Sequence, residues 1–290
     1  MALIISKLNK TYTNGVKALD NISLNLNNGM IGLLGPNGAG KSSLMRTIAT
    51  LQKPDNGTIL FDEIDTIKTP MKLRNVLGYL PQDFGVYPKV SAEQLLDYFA
   101  ILKGINSKSE RDKIIKYVLE ITNLYEDRRK NVENFSGGMK QRFGIAQLLL
   151  NKPKLIIVDE PTAGLDPAER NRFLNVLREI GTDNTILFST HMVEDIKDLC
   201  QNICIMNKGK VLKYSTPKKA IQEIHGKIWA KKIPREILET EDSKHQILSS
   251  KYNADNSLTI KINSENPPDD SWISVEPQLE DVYFITLKND

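Results

Sequence analysis

The first part of the chain alternates between apolar and polar residues. Residues 22–26 (Ile-Ser-Leu-Asn-Leu) alternate strictly, which is typical of an antiparallel strand with one face in water. Residues 3–8 predict another short strand before it. The run from Met30 to Leu34 is apolar apart from one glycine and has the length of a buried strand. We therefore expect a half-solvated antiparallel sheet next to a buried sheet.

Later apolar runs extend the buried sheet. Residues 155–158 are continuously apolar, which is typical of a parallel strand that is covered on both faces, and residues 185–188 predict the next buried strand. Further strands are predicted at 57–61 and 76–80, and a hairpin at 202–206 and 210–214.

Helical periodicity separates these strands. Residues 43–50 predict a helix with Leu44, Ile48 and Leu51 on one face. From about residue 88 to 150 the pattern is mainly helical. There, Ser91 and Gln94 form a capping box, and a second helix over 109–121 aligns Ile114, Val118 and Ile121. This stretch predicts a helical insertion into an α/β core.

The pattern changes again after residue 224. Residues 246–249 and 258–263 predict short strands, and residues 279–287 predict a final helix. We therefore expect an α/β domain over residues 1–224, with a helical subdomain at about 88–150, and a small α+β domain over residues 225–290.

Composition narrows the class of protein. Of 290 residues, 40% are apolar and 26% charged, which predicts a packed globular core, and a net charge of +3 is too small to indicate nucleic-acid binding. Cys200 and Cys204 lack histidine neighbours, so buried, reduced thiols are favoured over a metal site. The sequence predicts neither a secretory leader nor a membrane span, so any work at a membrane requires another chain.

The strongest chemical motif lies between the strand ending at Leu34 and the helix predicted at 43–50. Residues 35–42 (Gly-Pro-Asn-Gly-Ala-Gly-Lys-Ser) fit the phosphate-binding loop G-x-x-x-x-G-K-[ST]. Glycines let backbone N–H groups curl around phosphate oxygens, and the helix N-terminus adds positive potential. We expect Lys41 to reach the β- and γ-phosphates and Ser42 to bind Mg²⁺.

Polar residues follow two of the buried strands. Asp159 and Glu160 end the strand at 155–158, where ligands bind in open α/β sheets. Asp159 is expected to coordinate Mg²⁺, and Glu160 to orient or deprotonate water. His191 comes at the end of the next buried strand, and we expect it at the same edge of the sheet as Asp159. Taken singly, Tyr12 is more typical of packing and Ser136-Gly137-Gly138 of a helix cap.

In order and spacing, these motifs resemble the nucleotide-binding subunit of an ATP-binding cassette (ABC) transporter over about residues 1–220. The resemblance implies a P-loop NTPase core with an antiparallel β subdomain. It implies ATP and Mg²⁺ as ligands, with catalytic Glu160, His191 and Gln82 and metal-binding Ser42, Gln82 and Asp159. The nucleotide-binding residues that it implies are Tyr12, Gly35, Pro36, Asn37, Gly38, Ala39, Gly40, Lys41, Ser42, Ser43, Ser136, Gly137, Gly138 and Asp166. Met139 departs from the glutamine that usually follows Ser-Gly-Gly, which affects polar contacts near the nucleotide rather than hydrolysis.

The resemblance also implies partners. Two cassettes, identical or different, would bind ATP head to tail, with the phosphate loop of one facing Ser136-Gly137-Gly138 of the other. An integral-membrane permease would dock on the helical insertion and on residues 82–87, which places the chain at the cytoplasmic face. Residues 279–284 (Leu-Glu-Asp-Val-Tyr-Phe) are similar to the ending of drug, antibiotic or lipid exporter ATPases. An importer ATPase with a regulatory tail, or a cassette protein acting on ribosomes or DNA, are the alternatives.

Overall fold

The computed structural model describes residues 2–82, 84–85, 87–181, 184–197 and 199–290. The strands are β1 (Ala2–Thr11), β2 (Lys17–Asn27), β3 (Gly29–Leu34), β4 (Asn56–Phe61), β5 (Ile64–Asp65), β6 (Leu77–Leu80), β7 (Leu155–Asp159), β8 (Thr185–Thr190), β9 (Asn202–Asn207), β10 (Lys210–Ser215), β11 (Ile228–Ile233), β12 (Ser249–Tyr252), β13 (Leu258–Asn263) and β14 (Ile273–Ser274). The α-helices are α1 (Lys41–Ile48), α2 (Pro70–Arg74), α3 (Ala92–Leu102), α4 (Lys108–Ile121), α5 (Gly137–Leu149), α6 (Pro167–Ile180), α7 (Val193–Lys197), α8 (Pro217–Gln222), α9 (Leu238–His245) and α10 (Leu279–Lys288).

The central sheet has the strand order β10-β9-β3-β8-β7-β6. Its strands from β9 to β6 run parallel, and β10 returns antiparallel as the predicted hairpin. The register pairs Asp159 of β7 with Ser189 of β8. The carboxyl ends of β3, β7 and β8 therefore meet at one edge, which confirms the predicted buried sheet.

The antiparallel sheet has the order β2-β1-β4-β5 and covers one face of the central sheet. The two predicted strands are present but longer than the sequence pattern indicated. Helix α1 is packed between the sheets through Leu44 and Ile48. Leu51 is 59% exposed, contrary to prediction, because the helix ends at Ile48 and Thr50 takes a left-handed φ of 61°.

Helices α3, α4 and α5 enclose a separate apolar cluster, as the predicted helical insertion requires. The Ser91–Gln94 capping box is present at the start of α3. Helix α4 buries Ile115 and Leu119 together with Val118, whereas Ile114 is only partly buried. The predicted inward face of α4 was therefore rotated by about one residue.

The C-terminal residues form a third sheet, in the order β12-β13-β11-β14. The strand predicted at 246–249 is wrong. Gln246 adopts a left-handed φ of 49° at the end of α9, and the strand begins at Ser249. The final helix α10 is confirmed, but it packs on the far face of the central sheet through Val282 and Tyr283. This helix therefore belongs to the core of the central sheet although it follows the C-terminal strands in the chain.

A buried ion pair ties α10 to the C-terminal sheet. The Lys261 ammonium lies 3.0 Å from Asp281 Oδ1 and 3.1 Å from Oδ2. Asp281 is nearly inaccessible to solvent, and its Oδ2 also accepts the N–H of Gln278 at 2.8 Å.

Replacing Asp281 with asparagine will lower the free energy of unfolding by about 1–3 kcal/mol, because Lys261 loses a charged acceptor while the shape is preserved. Urea denaturation followed by circular dichroism measures the change. The Glu223→Gln control removes an exposed pair with Lys213 and should cost much less, because solvent screens the charges. Equal losses for the two variants would contradict this account of the junction.

Candidate functional site

The phosphate loop connects β3 to α1 and requires glycine at two positions. Gly40 has a left-handed φ of 100°, and a Cβ there would lie 2.4 Å from the carbonyl oxygen of Ala18. A Cβ on Gly35 would lie 2.4 Å from the carbonyl oxygen of Met206. The loop can therefore pass close to neighbouring backbone only because it lacks side chains at these points.

Lys41 lies beneath the loop with its side chain only 4% exposed. Its ammonium donates to the carbonyl oxygens of Gly35 at 2.7 Å and Pro36 at 3.2 Å. It also lies 3.3 Å from Glu160 Oε1. A buried cation is stable only with such partners, and these place its charge next to the loop and to the carboxylate.

Asp159 ends β7 and is held by two hydroxyl groups. Its Oδ1 accepts from Ser189 Oγ at 2.7 Å and from Ser42 Oγ at 3.2 Å. Ser189 Oγ also accepts the backbone N–H of Glu160 at 2.9 Å. One buried serine on the neighbouring strand thus fixes both the side chain of Asp159 and the backbone N–H of Glu160.

Glu160 takes a left-handed φ of 45°, an unfavourable conformation for a side chain with a Cβ. This turn directs its carboxylate to Lys41 on one side and to His191 on the other, with Nδ1 of His191 3.4 Å from Oε2. His191 is half exposed. The structure therefore brings together two residues that the sequence predicted at the same edge of the sheet.

An open cleft of about 400 Å³ lies beside Lys41, Ser42 and Glu160, whereas Asp159 and His191 are not among the residues that line it. The residues that line it are Tyr12, Val16, Ala18, Asn37, Gly38, Ala39, Gly40, Lys41, Ser42, Ser43, Gln82 and Glu160. The Tyr12 hydroxyl lies 2.9 Å from Ser43 Oγ and donates to Gln52 Oε1 at 3.1 Å. The adenine-stacking role of Tyr12 stays a prediction.

Sequence reasoning missed Val16, Ala18, Gln52 and Ser189. The register of β8 beside β7 is the signal that identifies Ser189.

The Ser136-Gly137-Gly138 segment lies on another part of the surface. Ser136 caps α5 by accepting the N–H of Met139 at 3.1 Å, so the departure at Met139 preserves the cap. Ser136 and Gly137 are exposed, whereas Gly138 is buried against Glu169. Neither they nor Asp166, which caps α6 by accepting the N–H of Glu169 at 2.8 Å, line the cleft.

The cleft offers oxygen donors of the kind that Mg²⁺ prefers. Ser42 and Asp159 are already in contact, and Gln82, which carries an amide oxygen, lines the cleft. Within the described ranges, no cluster of three or more His, Cys, Asp or Glu side chains is placed to hold a metal ion. Cys200 and Cys204 are buried free thiols, and burial raises the pKa of Cys204 to about 12. None of the helices in the described part of the chain is long and apolar enough to span a bilayer.

Comparison with known sequences gives a consistent result. A model of the ABC transporter family matches residues 19–163. The chain is 38% identical to an uncharacterised ABC transporter ATP-binding protein, YxlF of Bacillus subtilis, over 72% of this chain and 69% of that protein. It is 36% identical to the linearmycin resistance ATP-binding protein LnrL of Bacillus subtilis, over 67% of this chain and 63% of that protein. It is 34% identical to the methionine import ATP-binding protein MetN 1 of Oenococcus oeni, over 72% of this chain and 61% of that protein.

Comparison with solved structures agrees. One similar structure is cbiO1 from Clostridium perfringens, part of the ABC transporter complex cbiONQ, with a TM-score of 0.70 and 32% identity over 76% of this chain and 90% of that one. Another is the dimeric ATP-binding cassette MJ0796 in a post-hydrolysis state bound to ADP and Pi. Its TM-score is 0.67, with 27% identity over 74% of this chain and 98% of that one.

Proposed function

Because the chain belongs to the ABC transporter family and is an ATP-binding, ATP-hydrolysing subunit of a transporter, we propose that it drives export through a separate permease from the cytoplasmic face of a membrane. The observation that carries the proposed chemistry is the contact of Glu160 with both Lys41 and His191. That contact places a base beside a phosphate-binding cation and a third polar group.

Each group has a distinct task in the proposed mechanism. The loop amides and Lys41 hold the β- and γ-phosphates of ATP. Glu160 orients the attacking water and accepts its proton, and His191 contacts the γ-phosphate. The hydroxyl of Ser189 accepts the backbone N–H of Glu160 and so keeps Glu160 at the required angle.

Mg²⁺, when bound, neutralises charge on the β- and γ-phosphates. We assign its protein contacts to Ser42, Gln82 and Asp159. Ser189 supports this set because its hydrogen bond fixes the rotamer of Asp159.

Two cassettes complete each site in this proposal, either identical or different. The exposed Ser136 and Gly137 at the N-terminus of α5 offer backbone N–H groups and positive potential, but on a surface away from the cleft of the same chain. A second cassette placed head to tail brings this surface to the γ-phosphate, and the dimeric arrangement of MJ0796 is in keeping with it. Asp166, at the start of α6, is assigned to the same interface.

The helical subdomain supports a permease partner. Tyr87, Tyr98 and Phe99 form an aromatic cluster with ring centroids 6.0–6.5 Å apart, and Tyr87 and Tyr98 are about half exposed. Leu102 of α3 is also exposed. An exposed apolar surface of this kind is typical of a protein contact. In the predicted docking segment 82–87, Asp83 and Val86 lie outside the described residues.

Export is favoured by the final helix and by LnrL, an antibiotic-resistance protein. The exporter-like residues Leu279, Val282 and Tyr283 are packed into the cassette core, and the C-terminal residues 225–290 are proposed as an accessory domain joined through them. Import is the second candidate, because MetN 1 is a methionine importer subunit of comparable identity. The modest charge favours neither ribosomes nor DNA.

Purification of the tagged full chain from mildly solubilised membranes tests the proposal. We expect a multi-span membrane protein to co-purify. Inverted vesicles that contain the complex should then accumulate substrate when ATP is added outside. A Leu102→Glu variant should lose the membrane partner, whereas Lys116→Glu, on the solvent side of α4, should retain it. Recovery of a substrate-binding protein and ATP-driven uptake into right-side-out vesicles would establish import instead.

A further inference from the structure

Asp195 is a buried carboxylate that lies outside the cleft. It belongs to the short helix α7, and only 1% of it is exposed. Neither the nucleotide motifs nor the packing of an apolar core accounts for a charge at this position. Burial of a carboxylate is costly unless the protein supplies charge and hydrogen bonds, so its partners indicate its purpose.

Three side chains from three segments satisfy Asp195. Its Oδ2 accepts from Thr162 Oγ1 at 2.8 Å and from Thr190 Oγ1 at 3.0 Å. Its Oδ1 accepts from Arg170 Nε of α6 at 2.5 Å. Thr162 and Thr190 are themselves buried.

Both threonines stand next to the chemistry. Thr162 is two residues after Glu160, and Thr190 immediately precedes His191. Thr190 Oγ1 also accepts the N–H of Met192 at 2.9 Å, so it holds the backbone on both sides of His191. A single carboxylate oxygen therefore connects the loop that follows Glu160 to the turn that carries His191.

We propose that Asp195 is a positioning residue for hydrolysis. It holds Glu160 and His191 at the separation at which both act on the γ-phosphate and the attacking water, and Arg170 anchors this unit to α6. The proposal rests on the roles given above to Glu160 and His191. Asp166 caps the same helix, so Arg170 and Asp195 connect the start of α6 to the turn that carries His191.

Thr190→Val tests the proposal with little change in volume. We expect kcat for ATP hydrolysis to fall about 10-fold to 100-fold, because His191 loses its fixed position. KM for ATP and the affinity for a fluorescent ATP analogue should stay within about twofold, since Lys41 and the loop are untouched. Thr190→Ser keeps the hydroxyl and should retain most of the rate.

The matched control is Thr66→Val. Thr66 is equally buried, and its hydroxyl has no hydrogen-bond partner within the described ranges. This variant should keep the wild-type kcat, so it measures the general cost of replacing a buried threonine. Urea denaturation of both variants confirms that they are folded in the assay.

A double-mutant cycle separates positioning from a general structural role. If Thr190 acts through His191, Thr190→Val should lower kcat by less than about twofold in a His191→Ala background. Asp195→Asn should instead keep part of its loss of kcat in the His191→Ala background, because Asp195 also holds the loop after Glu160 through Thr162. The proposal would be overturned if Thr190→Val lowered kcat by the same factor in the His191→Ala background as in the wild type. It would also be overturned if Thr190→Val alone caused no loss of kcat. If substitutions of Glu160 and of His191 both left hydrolysis at the wild-type rate, the proposed mechanism itself would be overturned.

Discussion

Replacing Glu160 with glutamine will leave ATP binding intact and slow hydrolysis by about 10²–10⁴-fold. The amide preserves the size and hydrogen-bonding reach of the side chain but cannot accept the proton of the attacking water. The phosphate contacts are made by Lys41 and the loop, which this change leaves in place. The effect should therefore appear in kcat.

Phosphate release and equilibrium binding of ATP, measured on the same preparation, check this result. Glu120→Gln is a suitable control because Glu120 is exposed and pairs with Lys116 at the surface, and this variant should hydrolyse ATP at the wild-type rate. Near-normal turnover by Glu160→Gln would show that another group is the base. Loss of ATP binding would show that Glu160 acts mainly through Lys41.

Lys41→Ala and Gly137→Asp will each abolish hydrolysis, but at different steps. Lys41→Ala removes the buried cation, and we expect ATP binding to weaken by about 10-fold to 10³-fold. Gly137 is exposed at the first turn of α5, where an aspartate is well tolerated by the helix. Its carboxylate would repel the γ-phosphate held by a facing cassette, so a monomer of this variant should bind ATP normally and fail to form a productive dimer.

Equilibrium binding of a fluorescent ATP analogue to each variant distinguishes the two defects. Gly137→Ala adds only a methyl group, whose nearest neighbour is a Leu165 side-chain carbon at 3.8 Å, and it serves as the matched control. It should retain much of the wild-type rate. Normal hydrolysis by Gly137→Asp would mean that this surface never meets a nucleotide.

The sequence pattern predicted the central sheet because buried parallel strands leave an unmistakable apolar signal, as in residues 155–158. It also placed Glu160 and His191 at the same edge of the sheet, since carboxyl ends of parallel strands share an edge. Their contact in the structure depends on a left-handed turn at Glu160 that no periodicity encodes. Their functional roles remain predictions until the variants are measured.

Long-range polar contacts could not be predicted. Ser189 bridges Asp159 and Glu160 only because β8 lies beside β7 in one particular register. The Asp195 cluster joins segments that are distant in the chain, through residues with no local signature. Helix α9 was missed because its sequence is mostly polar, and the start of β12 was misplaced because the left-handed turn at Gln246 has no apolar signal.

Mixing the Lys41→Ala and Gly137→Asp chains tests the shared nucleotide site most directly. In a head-to-tail dimer of the two variants, one site carries both defects and the other carries neither. We predict that each variant alone is inactive and that an equal mixture recovers about a quarter of the wild-type ATPase rate, as random pairing of symmetric dimers requires. A mixture that stays as inactive as its components would contradict a site built from two copies of this chain.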